Sequence, residues 1–187
     1  MTRRYDQILV VDIECTCWER HTPPDQENEI IEIGLCMLKP ATGERVEKRS
    51  LLVRPERSTV SDFCTSLTTL TQAQVERGMS FSEACLILEK QYRGRQRVWA
   101  SYGDYDRQQF ERQCAARGIQ YPFSPSHLNI KTLFTLIRGM RHDLGMAQAM
   151  EQMQIPLEGR HHRGDDDAWN TAAMLHQLLT ERKDLHL

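Results

Sequence analysis

The sequence predicts an α/β fold in which helices flank a mixed central β-sheet. Two features lead to this prediction: three strand-like segments follow one another over residues 8–53, and helical segments then alternate with a further strand. Strands of a meander and the helices that follow them pack as layers around one core. Because 187 residues suffice for one well-buried domain, we expect a single domain over residues 1–187.

The first strand-like segment, residues 8–16, is the one around which the rest of the chain is organised. Its four consecutive branched residues, from Ile8 to Val11, are typical of a central strand that is buried on both faces. The other two segments of the meander are residues 30–38 and 46–53, joined by a turn at 41–44. The third strand is expected to return antiparallel to the second.

The remainder of the chain is predicted to form helices and a fourth strand. We expect a connecting loop over residues 58–69 and the fourth strand over residues 97–102. Capping residues and the helical spacing of apolar side chains predict helices over residues 71–78, 80–92, 106–117, 130–140, 146–153 and 165–182. An RNase H-like fold has this order of elements, although the order of strands within the sheet does not follow from the sequence.

Composition narrows the class of protein. Hydrophobic residues make up 40% of the chain and charged residues 27%, which is typical of a globular protein. The formal net charge of −2 argues against binding to nucleic acid through general positive charge, so a local site would have to hold such a substrate. No apolar run reaches the length of a membrane span, and no secretory segment precedes the first strand. We therefore predict a cytoplasmic protein with reduced cysteines and no membrane partner.

Two carboxylates end the first strand. Asp12 and Glu14 lie on the same face of it, because side chains alternate along a strand. Buried neighbouring carboxylates repel each other and lose solvation, so either one is protonated or a cation lies between them. Oxygen ligands on a rigid strand suit Mg²⁺ or Mn²⁺. An isolated acidic residue at a strand end is often only a turn or cap residue, so this pair needs further ligands.

Further acidic candidates stand at the starts of two helices. Asp104 and Asp106 follow the fourth strand, where open α/β sheets expose functional groups, and we expect Asp106 to be a ligand and Asp104 to cap the helix. Near the C-terminus, Asp165 and Asp166 suit the dipole of the first helical turn. Asp167 instead precedes the apolar side of that helix, where an unpaired carboxylate would be costly.

These residues resemble the ligand set of the DEDDh 3′-to-5′ exonucleases, whose third motif is H-x4-D. The set consists of Asp12, Glu14, Asp106, His162 and Asp167. A closer resemblance, to the Eri-type and KapD-like branch, is carried by V-V-D-I-E-C-T-C, N-E-I-I-E-I-G, L-V-R-P-E, S-D-F-C-T-S-L-T, Q-A-Q-V, G-D-Y-D and H-R-G-D-D-D-A-W-N-T-A. These segments extend over nearly the whole chain. Arginine at position 163 excludes the subtype whose third motif is Y-x3-D.

The resemblance implies hydrolysis of RNA or single-stranded DNA from the 3′ end to 5′-mononucleotides, with two Mg²⁺ or Mn²⁺ ions. One ion would be held by Asp12, Glu14 and Asp167 and would orient the attacking water. The second, held mainly by Asp12 with Asp106 acting through water, would stabilise the leaving 3′ oxygen. His162 would accept a proton from the attacking water as the general base.

The resemblance also implies substrate contacts. Phe63 and Tyr105 match positions at which the family stacks bases, although the family often has tryptophan where Tyr105 stands. Cys15 and Thr16, which follow the acidic pair, are expected to contact the terminal nucleotide as well. His161 does not satisfy the H-x4-D spacing to Asp167, so we expect it on a solvated or phosphate-facing loop.

Two other functions compete with this one. The pattern D-x-E-x-T at residues 12–16 distantly resembles the D-x-D-x-T of aspartyl-phosphate phosphatases, but that chemistry needs a second aspartate at Glu14 and leaves His162 without a role. A catalytically weak nucleic-acid-binding adaptor on the same fold is the alternative that remains. The complete set of acidic ligands argues against it, and metal dependence of turnover on labelled oligonucleotides distinguishes the two.

Overall fold

The computed structural model describes residues 5–184, with side chains up to residue 181, and its core is a five-stranded mixed sheet. The strands are β1 (Ile8–Cys15), β2 (Ile30–Leu38), β3 (Arg45–Leu52), β4 (Trp99–Ser101) and β5 (His127–Asn129). They lie in the order β3-β2-β1-β4-β5. The first three form the predicted antiparallel meander, whereas β4 runs parallel to β1 and β5. The predicted mixed sheet is confirmed.

Helices cover both faces of the sheet. The described residues contain α1 (Asp62–Thr68), α2 (Gln72–Val75), α3 (Phe81–Lys90), α4 (Tyr105–Arg117), α5 (Ile130–Ile137), α6 (Met146–Gln152) and α7 (Gly164–Asp184). Six of them match the predicted helices to within a few residues. The predicted loop over residues 58–69 was wrong, because α1 lies within it and the Ser61 hydroxyl caps it by accepting the Cys64 N–H at 3.0 Å.

The strand β5 was not predicted. It has only three residues, too few for a two-residue period to be recognised. Its pairing partner β4 determines its structure: Trp99 lies opposite His127 and Ser101 opposite Asn129. Asn129 is also the N-cap of α5, where its side chain accepts the Thr132 N–H at 3.0 Å. A tertiary contact therefore defines this strand.

The central strand β1 separates two hydrophobic layers. Leu9, Val11 and Ile13 pack into the layer that contains α3 and Phe110 of α4. Ile8 and Val10 point to the opposite face, which is covered by α5, α6 and α7. This alternation continues past the apolar residues, so the carboxylates at positions 12 and 14 project on the α7 side.

Asp104 stands at the N-cap position of α4 but does not cap it. Its side chain accepts no hydrogen bond from the helix backbone, and its carboxylate lies 3.4 Å from the Arg107 guanidinium. The predicted cap was therefore wrong, because an ion pair along the helix surface competes for the carboxylate. The C-terminal end of α4 follows the sequence prediction, since Gly118 adopts a left-handed conformation there with φ of 62°.

Two observations bear on the predicted surroundings of the protein. Among the described residues, no helix has both the length and the apolar character that crossing a bilayer would need. All six cysteines are free thiols, as expected, and five of them are buried.

Candidate active site

A cavity of about 290 Å³ opens at the C-terminal end of β1. It is lined by Asp12, Ile13, Glu14, Tyr102, Gly103, Tyr105, Asp106, Lys131, Met146, His161, His162 and Asp167. All four predicted acidic ligands and the predicted general base are thus brought together, although they come from three distant segments of the chain. Tyr105, a predicted substrate contact, is also part of the wall.

Three elements place the four carboxylates. Asp12 and Glu14 project from the end of β1 on one face. Asp106 is in the first turn of α4, and its Oδ1 accepts the backbone N–H of Ile13 at 3.0 Å, which ties the start of α4 to β1. Asp167 is in the first turn of α7 and is only 3% exposed, as the inward side predicted for it requires. The site therefore depends on how both helices begin against the sheet.

The cavity holds more negative charge than the protein neutralises. Burial, followed by repulsion from Asp106 and Asp167, raises the pKa of Asp12 well above its ordinary value. Burial and the charge of Asp167 raise the pKa of Glu14 to about 8. Burial also raises the pKa of Asp106 to about 6, despite the hydrogen bond from Ile13. Among the described residues, no lysine or arginine forms an ion pair with any of the four carboxylates.

A divalent cation fits this arrangement. Carboxylate oxygens of Asp12, Glu14 and Asp167 lie within 4.8 Å of one another, close enough to share one ion. Hard, anionic oxygen ligands are those that Mg²⁺ and Mn²⁺ prefer. Asp106 is outside this group and is held by the β1 backbone, which suits an indirect role through water. The raised pKa values give a physical reason for a cation, since one would stabilise the ionised forms.

Both imidazoles face the cavity. His161 lies on the loop before α7, as expected, and its side chain is 36% exposed. Its contact with Asp167 was not predicted: its Nδ1 is 3.0 Å from Oδ2 and 3.1 Å from Oδ1 of that carboxylate. The ring of His162 stacks on that of His161, with centroids 4.0 Å apart. His162 contacts Asp167 through its backbone, whose N–H donates to Oδ2 at 2.9 Å. The H-x4-D spacing did not predict that both histidine rings lie near Asp167, because a turn at this point brings both rings to one side.

That turn requires an unusual backbone conformation. His162 has a φ of 66°, in the left-handed region that residues other than glycine seldom adopt. Such a conformation costs on the order of 1–3 kcal/mol and persists only where the surrounding contacts enforce it. Burial, with the neighbouring His161, lowers the pKa of His162, whereas the hydrogen bond to Asp167 raises the pKa of His161. His162 is therefore the imidazole better suited to be neutral at pH 7.

The predicted substrate contacts differ in accessibility. Phe63 on α1 is 39% exposed and Tyr105 is 53% exposed, so both rings are available for stacking. Cys15 is 7% exposed and does not line the cavity, and burial raises the pKa of its thiol above the ordinary value. The predicted contact of the Thr16 side chain with the nucleotide was wrong. This side chain is fully buried, and its hydroxyl donates to the Glu27 carbonyl at 2.9 Å. Thr16 thus supports the loop after β1.

Sequence reasoning missed Lys131 in the cavity wall. It is the second residue of α5, and its ammonium lies 5.5 Å from the centre of the Tyr102 ring. No pattern in the sequence singled it out, because it reaches the cavity only through the pairing of β5 with β4. The buried Glu32 also received no role, although it lies within the segment N-E-I-I-E-I-G that carries part of the resemblance.

Comparison with known proteins relates this arrangement to nucleases. A family model described as exonuclease, RNase_T, matches residues 9–175. The human 3′-5′ exoribonuclease 1 is 31% identical over 196 aligned positions, which cover 98% of this chain and 55% of the human protein. The probable 3′-5′ exonuclease KapD of Bacillus subtilis is 28% identical, covering 95% of this chain and 86% of KapD.

A solved structure extends the likeness to three dimensions. The nuclease domain of 3′hExo, a DEDDh family member bound to rAMP, superposes with a TM-score of 0.83 at 28% identity. The match covers 97% of this chain and 96% of that domain. The chain thus spans about half the length of the human relative and nearly all of a nuclease domain of the same fold.

Proposed function

This chain belongs to the exonuclease family and has an RNase H-like fold, and on that premise we propose that it removes nucleotides one at a time from the 3′ ends of nucleic acid. The resemblance to the DEDDh exonucleases of the Eri-type and KapD-like branch, expected from the sequence, is confirmed. RNA is the substrate that we favour, because the human relative is named an exoribonuclease and the similar nuclease domain was solved with rAMP.

One observation carries the proposal. Three carboxylates from β1 and α7 lie within 4.8 Å of one another, two of them buried and Asp12 partly buried, and none has a lysine or arginine partner among the described residues. An adaptor would have no need of such a cluster, which costs stability unless a cation compensates it. When bound, two Mg²⁺ or Mn²⁺ ions supply activation of the attacking water and stabilisation of the leaving oxygen.

The protein groups have separate tasks in this proposal. Asp12, Glu14 and Asp167 hold the ions, and Asp106 orients a bound water through the carboxylate oxygen that does not accept the Ile13 N–H. His162 accepts the proton of the attacking water at one of its ring nitrogens. Its lowered pKa supports this assignment, because a neutral imidazole is available at neutral pH.

Exposed aromatic rings support binding of a terminal nucleotide. Tyr105 stands in the cavity wall and Phe63 on the neighbouring α1, so each offers a face to a base. Stacking on an aromatic side chain is worth about 1–3 kcal/mol per base and tolerates any sequence. We expect the cavity to admit a terminal nucleotide with a free 3′ hydroxyl and the reaction to release 5′-mononucleotides.

The experiment that tests the proposal uses a 5′-labelled single-stranded RNA with a free 3′ hydroxyl. We expect stepwise shortening from the 3′ end with Mg²⁺ or Mn²⁺, release of 5′-mononucleotides, and no turnover after chelation. The same RNA with a 3′-phosphate should resist, and DNA of the same sequence should be cleaved more slowly. A circular RNA serves as the control without ends and should remain intact.

Three results would contradict the proposal. Undiminished turnover in EDTA would rule out metal-dependent hydrolysis, and fragments from the circular RNA would indicate an endonuclease. Binding of RNA without turnover, at any Mg²⁺ or Mn²⁺ concentration, would favour the adaptor instead. Mass spectrometry of the released nucleotides distinguishes 5′- from 3′-phosphates.

The proposal includes the organisation and location of the protein. We propose that residues 1–187 act as one exonuclease domain, since a single sheet with helices on both faces accounts for the described part of the chain. A reducing, cytoplasmic environment is supported by the six free thiols. Expression of the tagged chain followed by fractionation tests the location.

A further inference from the structure

A buried ion pair lies beneath the start of α7, outside the cavity wall. Glu32 of β2 is 0% exposed, and each of its oxygens accepts two hydrogen bonds. Oε1 accepts from Arg163 Nη2 at 2.8 Å and from the Ser50 hydroxyl at 2.5 Å. Oε2 accepts from Arg163 Nε at 3.2 Å and from the Gly164 N–H at 2.9 Å. The two-pronged contact fixes the guanidinium in both position and orientation.

A second contact brings the helix start against the sheet. A Cβ on Gly34 would lie 1.7 Å from the carbonyl carbon of Gly164, so the two backbones touch at this point. Gly34 is the residue paired with Asp12 in the β1–β2 register. Because β2 is rigidly paired with β1, the contact relates the start of α7 directly to the strand that carries Asp12 and Glu14.

Arg163 is also covalently next to the strained residue of the site. His162, with its φ of 66°, precedes Arg163 and directs its ring into the cavity. The Arg163 carbonyl accepts the Asp167 N–H at 2.9 Å, and Asp167 in turn accepts the His162 N–H at 2.9 Å. Fixing Arg163 therefore restrains both the predicted general base and a predicted metal ligand.

We propose that Glu32 is a positioning residue, which holds His162 and Asp167 in place opposite Asp12 and Glu14 by binding Arg163 and the Gly164 N–H. Glu32 is not part of the cavity wall and would touch neither substrate nor reacting atoms. Its effect passes through the backbone of residues 162–167. This inference rests on the proposed exonuclease activity and identifies the contact on which the geometry of that activity depends.

A purely stabilising role is the alternative, and the chain offers a matched control for it. Glu29 is 1% exposed and, like Glu32, accepts hydrogen bonds from one arginine and from the backbone. Arg117 donates to it at 2.8 Å, and the N–H groups of Glu56 and Arg57 donate at 3.0 and 2.8 Å. These contacts tie the loop after β3 to α4 and do not involve α7.

The experiment compares Glu32→Gln with Glu29→Gln in the full chain. Both are expected to lower Tm, because both remove a buried charged hydrogen-bond acceptor. At a temperature where all proteins are folded, only Glu32→Gln should lower kcat, by about tenfold or more, with KM within about threefold of wild type. Calorimetric titration with Mn²⁺, which needs no turnover, should show binding weakened about tenfold in Glu32→Gln alone.

A conservative variant covers the case in which Glu32→Gln fails to fold. Arg163→Lys keeps a positive charge beside Glu32 but loses the two-pronged contact, and we expect kcat about three- to tenfold lower. If Glu32→Gln folds, the double variant should be no slower than the slower single variant, because the two residues act as one unit.

The outcomes separate the two hypotheses. A wild-type protein without metal-dependent turnover contradicts the proposed function; in that case the Mn²⁺ titration still tests positioning. An active wild type with kcat retained within about twofold in Arg163→Lys overturns the positioning role alone. Equal losses of kcat in Glu32→Gln and Glu29→Gln also overturn it, since they would reflect general destabilisation.

Discussion

Glu14 and Glu32 lie opposite each other in the β1–β2 pair, and they differ in whether the protein compensates their negative charge. Both are buried, at 8% and 0% exposure. Glu32 is surrounded by donors, with Arg163 supplying the compensating charge. Glu14 has no such partner among the described residues, and burial together with Asp167 raises its pKa to about 8.

This difference is the one expected between a structural carboxylate and one that binds a metal ion. A buried carboxylate is tolerated when the protein supplies its cation and its hydrogen bonds, which is the case for Glu32. Without a protein cation, the same group is costly to ionise and attracts a cation from solution. The start of α7 affects both glutamates: Arg163 compensates the charge of Glu32, whereas Asp167 places a further negative charge near Glu14.

Replacing Asp12, the carboxylate proposed to bind both ions, should have the largest effect. Asp12→Ala is expected to lower kcat on the order of 10⁴-fold, because several kcal/mol of metal-dependent stabilisation would be lost. Its Tm in EDTA should rise, since a repelling charge is removed. Single-turnover kinetics and thermal unfolding measure the two quantities. Asp25→Ala, at an exposed loop position, is the control and should leave both unchanged.

The two imidazoles at Asp167 should differ sharply in their contribution. His162→Ala is expected to lower kcat by roughly 10²–10⁴-fold and to remove the acid limb of the pH–rate profile. His161→Ala should remain within a few-fold of wild type, although its Nδ1 is 3.0 Å from the Asp167 carboxylate. Steady-state rates over pH 5–9 provide the measurement. A reversed result would assign the base to His161, whose contact with Asp167 would then be catalytic.

The facing glutamates should respond oppositely to the same substitution in the metal-free protein. Glu32→Gln should lower the free energy of unfolding by about 2–3 kcal/mol, because it removes charged hydrogen bonds. Glu14→Gln should raise it, because the carboxyl it replaces is desolvated and repelled. Urea unfolding in EDTA at pH 7 measures both. Destabilisation by Glu14→Gln would mean that an unrecognised protein group already compensates Glu14.

A smaller effect is expected in the pH dependence of stability. Because the folded-state pKa of Glu14 is raised from 4.5 to about 8, the folded protein binds more protons than the unfolded chain between these values. The contribution of Glu14 to the stability of the metal-free protein should therefore be most favourable below about pH 4.5 and should decrease as the pH rises towards 8. Tm in EDTA should decrease over that range and change less with Mg²⁺. A flat or rising Tm in EDTA would contradict the raised pKa.

Local periodicity accounts for the parts of the site that the sequence predicted correctly. The alternation along β1 was sufficient to place Asp12 and Glu14 on one face, and the helical period was sufficient to direct Asp167 inward. The features that the sequence did not predict share another origin. The strand β5 has only three residues and exists because β4 pairs with it, and His161 reaches Asp167 because the next residue adopts a left-handed conformation.

The sequence by itself determined the chemistry of this protein: the order and spacing of its acidic residues, a histidine at H-x4-D, and with them the exonuclease family. The tertiary structure alone decided which buried carboxylates receive a protein cation. Glu32 and Arg163 are 131 residues apart, so their pairing depends on the docking of α7 against β2. Local sequence patterns with periods of two and 3.6 residues identify strands, helices and their buried faces. Charge compensation in a core instead depends on contacts between segments that are distant in sequence.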